Sequence, residues 1–138
     1  MSHNWVKDIN EMHDKFGVHE WISNNEDKYD DFLQFRLAFL REELDETIKA
    51  HRELDPEEIV DGLIDLCVVA IGTLDAFGVD AHKAWDKVLK ANMTKEVGVK
   101  ETRPNSLGLP DLIKPPGWVA PSHENNHSRL TKWHDNNC

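Results

Sequence analysis

The chain has 138 residues, 39% of them hydrophobic and 30% charged, and a formal net charge of −10, which suits one soluble globular domain. That acidity argues against a nucleic-acid polymer as partner, because such binders gain affinity by neutralising phosphates with Lys and Arg. No run approaches the roughly 20 apolar residues that cross a membrane, and the charged opening, MSHNWVKDINEMHDKFG, carries no apolar segment of the secretory type. Two cysteines, Cys67 and Cys138, make no disulfide framework. A cytoplasmic setting is therefore expected, the host's cytoplasm if the chain is virus-encoded.

Residues 2–17 predict a first helix: Trp5, Ile9, Met12 and Phe16 recur at spacings of four, three and four, and Gly17 stops it. Residues 18–28 read as a connection, with SNNED supplying turn and cap chemistry. A second helix is expected over 29–52, with Phe32, Phe35, Phe39, Leu40, Leu44 and Ile48 as its apolar stripe. Asp55 as N-cap and Pro56 at the first position open a third, 56–77. Its LCVVAI stretch at 66–71 is apolar all round, which predicts burial on every side and hence a subunit interface. Asp80 caps a fourth helix over 81–92. Residues 93–121 hold most of the prolines and read as an irregular arm, while 122–138 form a polar tail expected to be partly disordered. The expected fold class is all-α: a four-helix bundle with an irregular C-terminal arm, oligomeric, with 1–121 as the domain.

Charge is unevenly placed. Residues 42–65 hold ten acids against Lys49 and Arg52, and the rest of the chain is close to neutral. Glu42, Glu43 and Glu46 make EExxE on the second helix, and Glu58, Asp61 and Asp65 recur at three and four on the third. Such spacings place side chains on one helix face. A short excursion around Pro56 lays the two helices antiparallel and brings the two acidic faces together. Carboxylates pointing into one groove repel unless a cation sits there, and oxygen-only ligands select a hard ion, Mg²⁺ with Mn²⁺ as substitute. A merely solvated acidic face explains the pattern less well, because Asp61 and Asp65 sit among Ile59, Val60, Leu63, Ile64 and Leu66.

These residues resemble the all-α nucleoside triphosphate pyrophosphohydrolases, the MazG-like group, of phage and bacterial single-domain type. MHDKFG at 12–17, DGLIDLCVVAIGTLDAFGVD at 61–80, KANMTK at 90–95 and KPPGW at 114–118 are similar to successive blocks of that family. The resemblance implies Mg²⁺-dependent hydrolysis of a nucleoside triphosphate between its α and β phosphates, through a metal-activated water. It implies Glu43, Glu46, Asp61 and Asp65 as metal ligands, with Glu58 as a further candidate. The family's second motif, ExxD, is met literally by Glu58-Ile59-Val60-Asp61, whereas aligning the apolar helix puts its final Asp at Asp65, with Gly62 in the place of Glu and Asp61 substituting from one residue earlier. Glu42 is the candidate for orienting or deprotonating the water, with Glu43 beside it in the catalytic pair. Lys95 and Lys114, with Lys83 and Lys87 as further candidates, are expected to meet phosphates. Asn92 is expected to meet phosphate or sugar, and Trp118 to stack on the base. Similar proteins assemble as dimers or dimers of dimers.

Two other readings are weighed. A non-catalytic helical oligomer could use the acidic face to bind cations or a basic partner. His123-Glu124-Asn125-Asn126-His127 reads HExxH, a zinc-hydrolase signature through His123 and His127, but that chemistry needs a stable helix and a third ligand.

Overall fold

The computed structural model describes residues 3–100, 102, 107–108 and 111–138. Residue 2 of the expected first helix, and residues 101, 103–106 and 109–110 of the expected arm, lie outside the described residues. The chain divides into two compact units, 1–81 with 125–138, and 82–124.

In the first unit, α1 (Trp5–Lys15) starts where Asn4 accepts a hydrogen bond from the Lys7 N–H. Gly17, at φ +78°, turns the chain in a conformation that side chains resist. The expected connection after it is instead a seven-residue helix, α2 (Val18–Asn24), followed by a 3₁₀ turn over Glu26–Lys28. A helix this short is marginal alone. Tertiary packing decides its state: Ile22 is fully buried, and Trp21 lies against Phe32 with ring centres 5.7 Å apart.

The long elements are α3 (Tyr29–Arg52) and α4 (Pro56–Ala76). Leu54 takes a left-handed turn at φ +55°, and Asp55 caps α4 by accepting the Glu58 N–H at 3.1 Å. Arg36 reaches the Val69 carbonyl and Thr73 Oγ1, while Thr47 meets Gly62, so the two helices run antiparallel. A Cβ at position 62 would collide with Thr47 Oγ1. The helices can therefore lie this close only with glycine there.

The apolar stripe expected along α3 is only partly used. Phe32, Phe39 and Leu40 are half-buried, but Phe35, Leu44 and Ile48 are exposed. Arg36, Glu43 and Thr47 meet α4 instead. Of LCVVAI, Val69 alone is buried; Leu66, Cys67, Val68 and Ile71 are half-buried and Ala70 is exposed within one chain.

The core packs Ile22, Tyr29 and Phe77 with Phe32, Leu33, Val79, Leu130 and Trp133. Two of these belong to the expected tail, which forms α6 (Arg129–Asn136) rather than remaining without structure. Polar anchors explain why it orders. The Arg129 guanidinium donates to the Ala76 carbonyl and Ser23 Oγ, Trp133 Nε1 donates to Asp30 at 2.9 Å, and Asn126 holds both backbone groups of Asp80.

The second unit holds α5 (Ala81–Met93) and a small antiparallel ladder, β1 (Glu96–Gly98) with β2 (Asp111–Ile113), pairing Val97 with Leu112. The arm is thus not wholly irregular. Among the described residues no single helix is long and apolar enough to cross a membrane.

Trp133→Ala is expected to destabilise the first unit by roughly 2–3 kcal/mol, below the range for a fully buried tryptophan because part of the ring is exposed. Urea unfolding followed by circular dichroism checks it.

Candidate active site

The acidic faces of α3 and α4 meet in the first unit. Glu43, Asp61 and Asp65 lie close enough to perturb one another electrostatically. Burial raises Glu43 above the ordinary carboxylate pKa, and the charges of Asp65, Glu46, Glu42 and Asp61, in that order, raise it further. Asp65 is also raised, first by burial and then by the Asp61 charge, while Glu43 acts on it in the opposite direction. Glu42, Glu43, Glu46, Asp61 and Asp65 therefore come together as one electrostatic group. Glu58 is exposed in the first turn of α4 and is not among the charges that raise Glu43 or Asp65.

One atom shows what this group lacks. Glu43 Oε2 is buried and makes no hydrogen bond among the described residues. An unpaired buried carboxylate oxygen is costly, and a cation at that oxygen satisfies it while relieving the repulsion around it. The donor set is all oxygen, which fits a hard divalent ion.

Glu42 and Glu46 also line an open cleft of ≈ 520 Å³ along α3, together with Asp45 and three cations, Arg41, Lys49 and Arg52. These cations lie apart from the expected phosphate contacts, Lys95 and Lys114 of the arm with Lys83 and Lys87 of the helix before it. The missed signal was the spacing 41, 45, 49, 52, which puts one acid and three cations on a single helix face.

The other expected substrate residues belong to the second unit. Lys95 and Lys114 hold their ammonium nitrogens 5.1 and 5.2 Å from the centre of the Trp118 ring, a cation–π arrangement. The indole Nε1 donates to the Ala91 carbonyl at 2.9 Å. Beside the ring lies a cleft of ≈ 560 Å³ whose walls include Lys87, Lys90, Pro115 and Pro116. Asn92, Lys83 and Lys87 are exposed on α5. The Trp118 ring, expected to receive a base, thus already carries two ammonium groups.

HExxH is not presented by a helix. Residues 123–127 form a turn with Asn125 at φ +65°, and Asn126 is committed to the Asp80 backbone. His123 and His127 therefore lack the helical register that zinc hydrolysis needs.

An all-α scaffold whose central helix pair carries mutually repelling carboxylates, one of them with a buried unpartnered oxygen, fits the class of the all-α pyrophosphohydrolases. Residues 10–92 match the model of the phosphoribosyl-ATP pyrophosphohydrolase family, and the chain belongs to that family. The matched stretch contains EExxE, Asp61 and Asp65. The family falls in the same superfamily as the MazG-like proteins, and membership implies a hydrolase acting on a phosphoric anhydride of a nucleotide. Such proteins are typically metal-dependent. No curated protein and no solved structure matches the chain.

Asp65→Asn removes one repelled charge from the metal-free group. It is expected to raise the melting temperature in EDTA by a few degrees and to abolish pyrophosphate release. Calorimetry and a pyrophosphate assay on the same preparation check both halves.

Proposed function

We propose that the protein is a Mg²⁺-dependent nucleoside triphosphate pyrophosphohydrolase, converting a (deoxy)nucleoside triphosphate and water to the monophosphate and pyrophosphate. The observation that carries this reading is the unpartnered Glu43 Oε2 within the carboxylate group of α3 and α4. Glu43, Glu46, Asp61 and Asp65 hold the ion, with Glu58 in reserve and Mn²⁺ able to replace Mg²⁺. When bound, the ion supplies charge neutralisation for the triphosphate and a lowered pKa for a water. Glu42 would orient the attacking water and accept its proton as the water adds to the α-phosphorus and pyrophosphate leaves. Arg41, Lys49 and Arg52, in the cleft shared with Glu42 and Glu46, support phosphate binding by an otherwise acidic chain. Within the second unit, Lys95, Lys114, Asn92 and Trp118 are nucleotide-contact candidates of their own, and a base that stacks on Trp118 takes a face of the ring from one of the two lysines.

Pyrophosphate release from a panel of ribo- and deoxyribonucleoside triphosphates with Mg²⁺, and with EDTA as control, tests the reading. Activity is expected with at least one triphosphate and none in EDTA. The family match favours a second substrate, phosphoribosyl-ATP, which belongs in the same panel. Turnover of that compound alone would replace the triphosphate reading. Cleavage of nothing in the panel would leave the carboxylates as a cation-binding surface.

The exposed apolar surface supports self-association. Trp5 and Ile64 are 50% and 46% exposed, and with Cys67, Val68 and Ile71 they line an open apolar hollow of ≈ 200 Å³ between α1 and α4. A second copy of the chain covers this face in the proposed dimer or dimer of dimers. Light scattering is expected to give a mass at least double the 15.9 kDa of one chain; a monomer at micromolar concentration would refute the assembly. Two free cysteines, one of them exposed, suit a cytoplasmic enzyme.

A further inference from the structure

A second cluster of metal-ligating side chains lies on α4 ten residues beyond Asp65, about 15 Å along the helix. His13 from α1 and His19 from α2 both converge on one oxygen of Asp75. His13 Nδ1 is 2.8 Å and His19 Nε2 2.6 Å from Asp75 Oδ2. The three donor atoms lie within 4.8 Å of one another and come from three different helices. We propose that His13, His19 and Asp75 form a second metal site, separate from the carboxylate group, that takes a zinc-type divalent ion.

Donor chemistry selects the ion. Two imidazole nitrogens and one carboxylate oxygen suit zinc and its first-row neighbours rather than Mg²⁺, which prefers oxygen. A tetrahedral zinc with bonds of about 2.0–2.1 Å keeps its ligands roughly 3.3–3.4 Å apart. Each nitrogen reaches that spacing from Asp75 Oδ2 by moving less than about 1 Å away from it, and a water would complete the fourth position.

The outer partners that fix metal ligands are already in place. Asp75 Oδ1 accepts from Asn10 Nδ2 at 2.8 Å, which holds the carboxylate plane. His19 Nδ1 faces Asp14, so this carboxylate fixes the tautomer that leaves Nε2 as the ligand. Charge supports binding: a dication held there meets the carboxylate of Asp75 directly, with that of Asp14 on the far side of the His19 ring. Access is through His19, whose side chain is 25% exposed against 4% for His13 and 8% for Asp75. The bound ion staples α2, too short to persist alone, to α1 and α4.

The test uses the tag-free, metal-stripped full chain in excess Mg²⁺, which occupies the oxygen-only group. Zn²⁺ is titrated by calorimetry, and Co²⁺ by its visible absorption. One Zn²⁺ per chain is expected, with a higher melting temperature and a tetrahedral Co²⁺ spectrum. His19→Ala, at the most exposed ligand, is expected to weaken binding at least tenfold, on the order of 10–100-fold for disturbed metal surroundings, and to abolish the thermal shift. His19→Gln gives the same readout if the alanine variant does not fold. Asp65→Asn, and His134→Ala with Cys138→Ser to remove the neighbouring pair on α6, are expected to bind as the wild type does. No Zn²⁺ uptake by the wild type would overturn the proposal and leave the cluster bridged by protons. So would uptake that survives in His19→Ala, or that disappears in Asp65→Asn or the α6 variant.

Discussion

The close approach of α3 and α4 at Gly62 and Thr47 is the constraint on which the carboxylate group depends. A side chain at 62 would push the helices apart at the level where Glu43, Asp61 and Asp65 perturb one another. Thr47 Oγ1 donates to the Glu43 carbonyl at 2.8 Å, so the residue that touches Gly62 also ties back to the backbone of Glu43. Packing and electrostatics oppose each other here. Helix contact brings the acids together, and their repulsion raises Glu43 and Asp65 above ordinary carboxylate values. A cation turns that opposition into support. The space that the partner helix needs accounts for a glycine at position 62.

The two long helices were legible because their signals are local and strong: periodic apolar residues, an Asp-Pro start, and acids at spacings of three and four. The acidic group followed from the same pattern, since an antiparallel pair leaves little freedom in which faces meet. α2 and α6 were not legible. Each is short, and each is held by distant partners: Ile22 by Tyr29 and Phe77, Trp133 by Asp30, Arg129 by Ala76. No local propensity announces such contacts. Asn126 illustrates the same limit, because its sequence context suggests a polar tail while its amide serves as a clamp on Asp80.

The cation cluster at Arg41, Lys49 and Arg52 and the histidine cluster at Asp75 mark two further boundaries of sequence reading. The first was visible as a helical spacing but masked by the excess of acids around it. The second joins residues 13, 19 and 75, and no spacing rule links positions so far apart. Trp118 shows a subtler shift. Prolines beside an aromatic do imply a fixed ring, yet the ring's negative face attracts whatever ammonium groups are near, here Lys95 and Lys114.

The discontinuous first unit has a consequence for the order of folding. Its core includes Leu130 and Trp133, but the 43 residues of the second unit, 82–124, intervene in the chain. During synthesis the helices of residues 3–81 emerge with one wall of their core missing, and the second unit must be made before that wall arrives. Contacts of high sequence separation, such as Arg129 to Ser23 and Asn136 to Glu26, close late and carry a large loop entropy. The native core is accordingly completed only after the second unit has been made, and until then the hydrophobic surface around Tyr29 and Phe77 stays open to solvent and to other chains.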